Sequence, residues 1–348
     1  MKPVSRSGGF AAAIAMAIVL QSSVAGGKTL GVLTYNVHGL PAVLIGSRDG
    51  EVRKIARILD GLRKPDSFYE GAATIVALQE VFAKGYHRTV LNLAAPSFPF
   101  ATARDDGGTY GLGDGLVRLS DAPFARHVRI AWKECFGRFG LFQSDCDTRK
   151  GFSYARHEVA PGAFVDVYDV HADAGQDPGS RRARAGNIRQ LLDAMRSLSP
   201  AGTAVIVLGD TNARYTRSPR DNVDLLVTDG GLRDVWIDLV RDGQAPVSGP
   251  PLIDGCAAEP GGADCELVDK ILYRSGDGVT LRPMTYEVLD DFRDKRGREL
   301  SDHFPVAAKF DVEVAAQREA AVETAASAFD PPAELARLPG NPASVRTD

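Results

Sequence analysis

The sequence predicts a mixed α/β fold. Short apolar runs rich in β-branched residues recur along most of the chain, and amphipathic helical segments lie between some of them. The chain has 348 residues, which is enough to bury a large core. No internal repeat and no Gly-Ser linker divides it, so we expect residues 27–312 to form one domain. The predicted strands cover residues 29–37, 74–79, 115–119, 164–170, 204–208, 267–273 and 304–310.

Two segments between the predicted strands have the apolar spacing of an amphipathic helix, at positions i, i+3, i+4 and i+7. Asp49 is placed to cap the first helix, and Ser180 precedes the second. Each pattern predicts a helix with one apolar face. The apolar positions are Val52, Ile55, Ala56, Leu59 and Leu62 in the first segment and Ile188, Leu191, Leu192 and Met195 in the second.

The two ends of the chain differ in composition from the predicted domain. Residues 1–25 place Lys2 and Arg6 before a short apolar stretch and then small residues, which is typical of a secretory signal peptide. A retained N-terminal anchor is the alternative. Residues 313–348 predict an Ala- and Glu-rich helix followed by a loose, proline-containing tail. We therefore expect a secreted or periplasmic protein.

The four cysteines form two local pairs along the sequence, Cys135 with Cys146 and Cys256 with Cys265. In an exported chain such pairs predict two short-loop disulfides. Local pairing is the simplest of the three connectivities that four cysteines allow. The cysteines lack the histidine partners and the tight spacing of a zinc site.

The charge balance argues against strong bulk attraction to polyanions. The chain has a formal net charge of −4, and loss of residues 1–25 would leave 39 basic against 45 acidic residues. Basic clusters at residues 181–184 and 293–298 are interpreted as a solvated helix face and a surface loop. Steering of a phosphate or lipid headgroup is the alternative for both clusters.

Polar residues stand at the ends of three predicted strands. Asn36 follows the first strand and could orient a phosphate oxygen or a metal-bound water, although an Asn before Gly and Pro also forms turns. Glu80 ends the second apolar run, and a buried carboxylate there needs a partner such as a divalent cation, an N-cap or an ion pair. His171 enters a loop after a strand, where it could transfer a proton.

The most specific single motif is Gly-Asp-Thr-Asn at residues 209–212, directly after a buried strand. Residues two apart in an extended chain face the same side, so Asp210 and Asn212 can converge on one ligand. Asp269 could accept a hydrogen bond from an imidazole and fix its tautomer. Asp302 and His303 put an acid beside a group that titrates near neutrality, a combination suited to phosphoester hydrolysis.

These motifs and their order along the chain resemble those of the endonuclease/exonuclease/phosphatase superfamily. The resemblance covers nearly the whole predicted domain. It implies an α/β fold built as a four-layer α/β sandwich. Two packed, mostly antiparallel sheets form its centre, helices lie outside them, and the active site lies at one end of the sheets. The matching positions are Asn36, Gln79, Glu80, His171, Gly209, Asp210, Thr211, Asn212, Asp269, Ser301, Asp302 and His303.

The resemblance also implies roles for the residues that would do the chemistry. Asp210 matches the residue that activates or orients the attacking water, and Asn212 the one that holds a phosphate oxygen. His303 matches a general base or phosphate-contacting histidine, with Asp269 as the partner of a catalytic imidazole. His171 matches the second histidine, which stabilises charge or protonates the leaving oxygen.

A metal site is implied in the same way. Glu80 matches the main metal-ligand carboxylate, Asn36 lies beside it, and Asp302 matches a metal-associated or orienting acid. The set is rich in oxygen, which favours Mg²⁺, with Mn²⁺ or Ca²⁺ as alternatives. Arg214 is a candidate for contact with a neighbouring phosphate of the substrate.

The predicted function is that of a divalent-metal-dependent phosphoester hydrolase that acts on phospholipid or nucleic acid. The segment 78–82 and the Arg184- and Gln190-bearing helix after His171 resemble the secreted sphingomyelinase-like branch, which predicts a phosphodiesterase with peripheral membrane contact. An extracellular deoxyribonuclease I-like endonuclease is the main alternative, and a non-catalytic binding protein on the same fold is another. Residues 136–142, inside the first cysteine loop, are the candidate for membrane entry, with packing under the disulfide as the alternative. No obligate protein partner is expected.

Overall fold

The computed structural model describes residues 28–108, 111–137, 145–217, 221–249 and 253–315. The predicted signal peptide, residues 1–25, lies outside the described residues, and so does residue 316 onward of the predicted C-terminal segment. The last described strand ends at Val314, so residues 313 and 314 continue the sheet.

Twelve strands and six α-helices make up the regular structure of the described residues. The strands are β1 (Lys28–Asn36), β2 (Ala73–Gln79), β3 (Phe100–Ala101), β4 (Val117–Ser120), β5 (Phe124–Ala131), β6 (Gly151–Ala160), β7 (Ala163–His171), β8 (Ala204–Asp210), β9 (Arg233–Asp234), β10 (Asp269–Arg274), β11 (Val279–Val288) and β12 (Val306–Val314). The helices are α1 (Ala42–Ile45), α2 (Asp49–Gly61), α3 (Lys84–Ala94), α4 (Pro178–Leu198), α5 (Asp224–Thr228) and α6 (Val235–Val240).

The strands form two six-stranded sheets within the described part of the chain. The first has the order β11-β12-β1-β2-β4-β3 and the second β5-β6-β7-β8-β10-β9. Only β1 with β2 and β7 with β8 pair in parallel; the other described pairs are antiparallel. The prediction of two mostly antiparallel sheets is therefore confirmed.

The molecule has four layers, and a hydrophobic cluster lies at each of the three interfaces between them. The central cluster packs the inner faces of the two sheets together, with Val32 and Ile75 from the first sheet and Val167 and Ile206 from the second. A second cluster joins α2 and α3 to the outer face of the first sheet, and a third joins α4 and α6 to the outer face of the second. This arrangement is the predicted four-layer α/β sandwich.

Both predicted helices form, but their caps differ from the prediction. The N-cap of α2 is Arg48, and Asp49 is the first helical residue. There its negative charge interacts favourably with the positive end of the helix dipole. In α4 the N-cap is Asp177, whose carboxylate accepts hydrogen bonds from the backbone N–H groups of Gly179 and Ser180. Pro178 then occupies the first helical position, where its lack of an N–H costs little.

Two disulfides join Cys135 to Cys146 and Cys256 to Cys265, as the local pairing predicts. Each closes a short segment, with sequence separations of 11 and 9 residues. Within the described ranges, no helix combines the length and apolar character needed to span a bilayer.

Candidate active site

The parallel strand pairs at the middle of each sheet bring distant polar residues to one edge of the sandwich. In the first sheet Asn36 at the end of β1 lies in register with Gln79 at the end of β2. In the second sheet His171 at the end of β7 lies in register with Asp210 at the end of β8, which in turn pairs with Asp269 of β10. The carboxyl ends of parallel strands meet at the same sheet edge, so these side chains converge.

Asn36 connects the two sheets at this edge. Its side chain is fully buried, and its Nδ2 donates hydrogen bonds to Glu80 Oε1 and to Asp210 Oδ2, each at 3.1 Å. Its Oδ1 accepts a hydrogen bond from the backbone N–H of His38 at 3.0 Å. A single amide thus holds one carboxylate from each sheet.

Glu80 follows β2 directly and adopts a left-handed backbone conformation, with φ of 60°. This turn directs its carboxylate back toward Asn36 rather than along the strand. Burial raises the pKa of Glu80, and Asp210 adds to that rise, whereas Lys150 opposes it. The partly buried Glu80 carboxylate and the buried Asp210 carboxylate face one amide, which favours a positive partner between them.

His171 lies opposite this pair and is fully buried. Its Nε2 is 3.6 Å from Glu80 Oε1 and 3.5 Å from Asp210 Oδ2. Neither ring nitrogen has a hydrogen-bond partner among the described residues. Burial lowers the pKa of His171 well below its usual value, and the positive charge of Lys150 lowers it further. This shift favours the neutral form of the imidazole.

The motif at residues 209–212 makes a tight turn that fixes Asp210. A Cβ atom at Gly209 would lie 2.1 Å from the backbone oxygen of Val170, and Gly209 has φ of 142°, so both space and backbone conformation require glycine. Asp210 accepts hydrogen bonds from the backbone N–H of Asn212 at 2.9 Å and from its Nδ2 at 3.1 Å. Asn212 Nδ2 also donates to the backbone oxygen of Ala172 at 3.1 Å.

His303 approaches the same point from the loop before β12. Its Nδ1 lies 2.8 Å from Asp269 Oδ2, and its Nε2 lies 3.8 Å from Asp210 Oδ2. Burial lowers the pKa of His303, but the Asp269 and Asp210 carboxylates outweigh that effect and raise the pKa well above its usual value. Ser301 anchors this loop to β1, because its Oγ donates to the backbone oxygen of Asn36 at 2.7 Å.

Two predicted site residues lie away from this cluster. The Asp302 side chain is 61% exposed, and its Oδ1 is 3.4 Å from Nδ1 of His38. Arg214 donates its backbone N–H to Asp221 and lines a separate cavity of about 330 Å³ with Val227 and Ile237. Its described contacts do not reach the strand ends that hold Glu80 and His303.

Lys150 is a charged neighbour of the cluster that the sequence analysis did not identify. It precedes β6, is buried, and forms an ion pair with Asp145. Burial lowers the pKa of Lys150, but Asp145, Glu80 and Asp210 together raise it above its usual value. The ammonium therefore stays charged beside the site. In the sequence, Lys150 is marked only by its position directly before the residues that form β6.

A buried hydrogen-bond chain lies behind the cluster and joins the two sheets. Gln79 Nε2 donates to Asp169 Oδ1 at 2.8 Å and to Thr34 Oγ1 at 3.1 Å. Burial raises the pKa of Asp169 to about 7, although the buried Arg118 opposes that rise. Gln79 precedes Glu80 and Asp169 lies two residues before His171, so this contact sets how the two sheets present those side chains.

The donor set fits a hard divalent cation. The Glu80 carboxylate supplies the oxygen atoms that Mg²⁺ prefers, and Nδ2 of Asn36 holds that carboxylate and the carboxylate of Asp210 side by side. Asp210, Asp269 and His303 also offer ligand atoms that lie within 4.8 Å of one another. A cation here would offset the burial of several carboxylates.

Comparison with known proteins agrees with the fold. Residues 33–303 match the model of the Endonuclease/Exonuclease/phosphatase family. The chain belongs to this family. It is 32% identical over 287 residues to a sphingomyelinase of Mycobacterium tuberculosis and to one of Mycobacterium bovis. Each match covers 80% of this chain and 52% of the relative, so the chain spans about half the length of these relatives.

Solved structures share the family fold. Sphingomyelinase C from Streptomyces griseocarneus superposes with a TM-score of 0.53 at 22% identity, covering 81% of this chain and 99% of that one. A mutant beta toxin from Staphylococcus aureus with bound magnesium ions superposes with a TM-score of 0.54 at 18% identity, covering 80% of this chain and 98% of that one. At these identities the likeness concerns the fold.

Proposed function

We propose that this protein is an exported, divalent-metal-dependent phosphodiesterase of sphingomyelinase type. The observation that carries the proposal is the meeting of Glu80, His171, Asp210 and His303 around the buried amide of Asn36. Two carboxylates, a buried imidazole and an imidazole paired with a carboxylate in one cluster are the groups that phosphodiester hydrolysis requires.

The proposed residue roles follow from charge. Glu80 would hold Mg²⁺, with Asn36 beside it positioning the Glu80 carboxylate through Nδ2, and the ion when bound would neutralise the phosphate and polarise its phosphorus–oxygen bonds. Asp210 would orient the attacking water. Asn212 and the positively charged His303 would contact phosphate oxygens, since a raised pKa suits donation better than proton abstraction.

The leaving group would depart near His171. The burial that keeps this imidazole neutral makes it a hydrogen-bond donor that stabilises developing charge, rather than a strong acid. Asp302, with its exposed carboxylate, is proposed to act on the rim of the site through His38 rather than as a direct metal ligand.

A phospholipid fits the charge of the protein better than a nucleic acid does. A zwitterionic headgroup needs no extended basic groove, and the chain is net acidic. Arg214 was the candidate for contact with neighbouring nucleic-acid phosphates. It lines a separate cavity instead, so it does not support a nucleic-acid substrate. The two mycobacterial sphingomyelinases, by their names, support the same substrate class.

Export to an oxidising compartment is supported by the two disulfides. The proposal that residues 1–25 are a signal peptide accounts for this export, and no obligate protein partner is required for the chemistry.

The function is tested by assaying the purified chain with Mg²⁺ on sphingomyelin vesicles, plasmid DNA and bis-p-nitrophenyl phosphate. We expect release of phosphocholine from sphingomyelin and hydrolysis of the synthetic diester, both abolished by a chelator and restored by Mg²⁺. Plasmid cleavage with intact sphingomyelin would instead support the nuclease. Failure to hydrolyse any of the three would support a non-catalytic binding protein.

Glu80→Gln is expected to raise the Mg²⁺ concentration required for half-maximal activity by about tenfold or more. Loss of a group that only hydrogen-bonds to a metal ligand already lowers metal affinity by about 10–100-fold, and Glu80 is proposed as a ligand itself. The substitution keeps the hydrogen bond to Asn36 but removes the charge. Titration of activity with Mg²⁺ measures this change. Glu158→Gln is the matched control. Glu158 is exposed on β6 and lies at the end of the β6–β7 hairpin away from His171. An unchanged metal titration in Glu80→Gln would remove Glu80 from the ligand set.

A further inference from the structure

The short helix α1 exposes three consecutive aliphatic residues. Val43 is 90% exposed, Leu44 63% and Ile45 38%. None of the residues of α1 is buried. Scattered single apolar residues are normal on a protein surface, but a contiguous aliphatic run held in solvent marks an interaction site.

This aliphatic patch, residues 43–45, lies on the rim of the candidate active site. It follows Asn36 by only a few residues, through Val37, whose backbone N–H donates to the oxygen of Gln79. Gly39 then packs on the metal-site segment so closely that a Cβ there would lie 2.6 Å from the backbone oxygen of Glu80. The chain leaves the site at this point and forms α1.

The segment that returns from α1 is also fixed to the site. The backbone N–H of Arg48 donates to Tyr86 Oη at 2.8 Å, and its guanidinium donates to the backbone oxygen of Leu300. The same guanidinium lies 3.0 Å from Nδ1 of His38. Both ends of the segment are therefore tied to loops of the active site, and the aliphatic patch is presented outward from a fixed base.

The segment carries no charge. Residues 39–47 contain no Asp, Glu, Lys, Arg or His, so the rim here offers aliphatic surface without electrostatic attraction to an anionic partner. A nucleic acid requires basic groups at such a position, whereas a zwitterionic bilayer accepts uncharged aliphatic side chains at the boundary between headgroups and acyl chains.

We propose that Val43, Leu44 and Ile45 enter the surface of a zwitterionic phospholipid bilayer and dock the active site on it. The inference rests on the proposed function, because the phosphate of a membrane phospholipid lies in the headgroup layer just outside the acyl chains. An aliphatic patch on the rim of the site brings the strand ends to that depth.

Phe136 begins the segment 136–142 that was predicted for membrane entry; it is 36% exposed and packs part of its ring against α4. A Cβ at Gly179 of α4 would lie 2.2 Å from the Phe136 ring, so this ring already covers the start of that helix. Residues 138–144 of the same cysteine loop lie outside the described residues. The described part of the loop therefore favours packing for Phe136.

The test compares the double variant Val43→Ser/Leu44→Ser with Phe164→Ser. Phe164 is 40% exposed and lies at the start of β7, at the opposite end of the strand from His171, so it is an exposed apolar residue away from the patch. Cosedimentation with vesicles of phosphatidylcholine and sphingomyelin is measured in EDTA, which separates binding from turnover. Hydrolysis of bis-p-nitrophenyl phosphate with Mg²⁺ is measured in parallel.

We expect the double variant to bind vesicles at least about tenfold more weakly than the parent, because two aliphatic side chains no longer leave water. Phe164→Ser should bind as the parent does, and all three proteins should hydrolyse the soluble diester at similar rates. A Val43→Trp variant should show blue-shifted emission from the added indole when vesicles are present, which tests insertion without loss of apolar surface.

Several outcomes would overturn the inference. Vesicle binding by the double variant equal to that of the parent would do so, as would a parent that does not bind vesicles or an unchanged emission of Val43→Trp. A parent dimer that the double variant abolishes would assign the patch to a second copy of the chain. Vesicle binding through the patch without hydrolysis of sphingomyelin would leave the inference standing and refute the proposed substrate.

Discussion

Replacing Asp210 by asparagine is expected to lower kcat for a phosphodiester by about 10²–10⁴-fold, the range typical of a proton-transfer group. The carboxylate accepts hydrogen bonds from the side chains of Asn36 and Asn212 and lies between the two imidazoles. Asparagine has nearly the same shape but cannot carry the negative charge that orients and activates water. The change is measured with bis-p-nitrophenyl phosphate at saturating Mg²⁺.

The control for this substitution is Asp193→Asn on an exposed position of α4, which makes the same chemical change far from the strand ends. Circular dichroism and thermal unfolding of both variants verify that the sandwich is retained. Wild-type turnover in a folded Asp210→Asn protein would contradict the role proposed for Asp210.

His303→Ala is expected to cause a loss of similar size, about 10²–10⁴-fold in kcat, and its partner Asp269 offers a pH-dependent test of the same group. Burial lowers the pKa of His303, and the Asp269 carboxylate 2.8 Å from its Nδ1 is foremost among the groups that raise it. With Asp269 present the imidazole stays protonated through neutral pH. Activity that requires the imidazolium is then lost only as the pH rises through the raised pKa.

Asp269→Asn removes the charge that opposes the effect of burial, so the pKa of His303 falls and the alkaline loss of activity begins at a lower pH. The pH profiles of kcat/KM for the parent and Asp269→Asn measure this displacement. An alkaline limb at the same pH in both proteins would show that His303 does not act as a cation.

Much of the fold could be predicted because its central strands are continuous apolar runs. Most residues of the inner strands β1, β2, β7 and β8 are buried, and each strand contains an apolar run, although β7 also carries Asp166 and Asp169. The edge strands β5 and β11 were not predicted, and neither was β6, which mixes Arg, His and Glu at residues 156–158 with apolar residues. β5 mixes Arg and His with apolar residues, and β11 contains Pro283 at a register shift, so neither shows a clean alternation.

The candidate site was predictable where its residues end a buried strand and less so elsewhere. Glu80, His171 and Asp210 come directly after apolar runs, and strand register then decides that they meet. Lys150 reaches them only through the packing of its loop, which leaves no periodic signal in the sequence. Asp302 is adjacent to His303, but adjacency along the chain does not determine which side chain faces the site.

The amide of Asn36 has a consequence for how the molecule could be divided. It binds one carboxylate from each layer of strands, and His303 of the first layer pairs with Asp269 of the second. Neither half of the sandwich therefore contains a working centre. Cutting the chain between β4 and β5 would separate Asn36 and Glu80 from His171, Asp210 and His303, so each fragment should be inert alone and regain turnover only when the two reassemble.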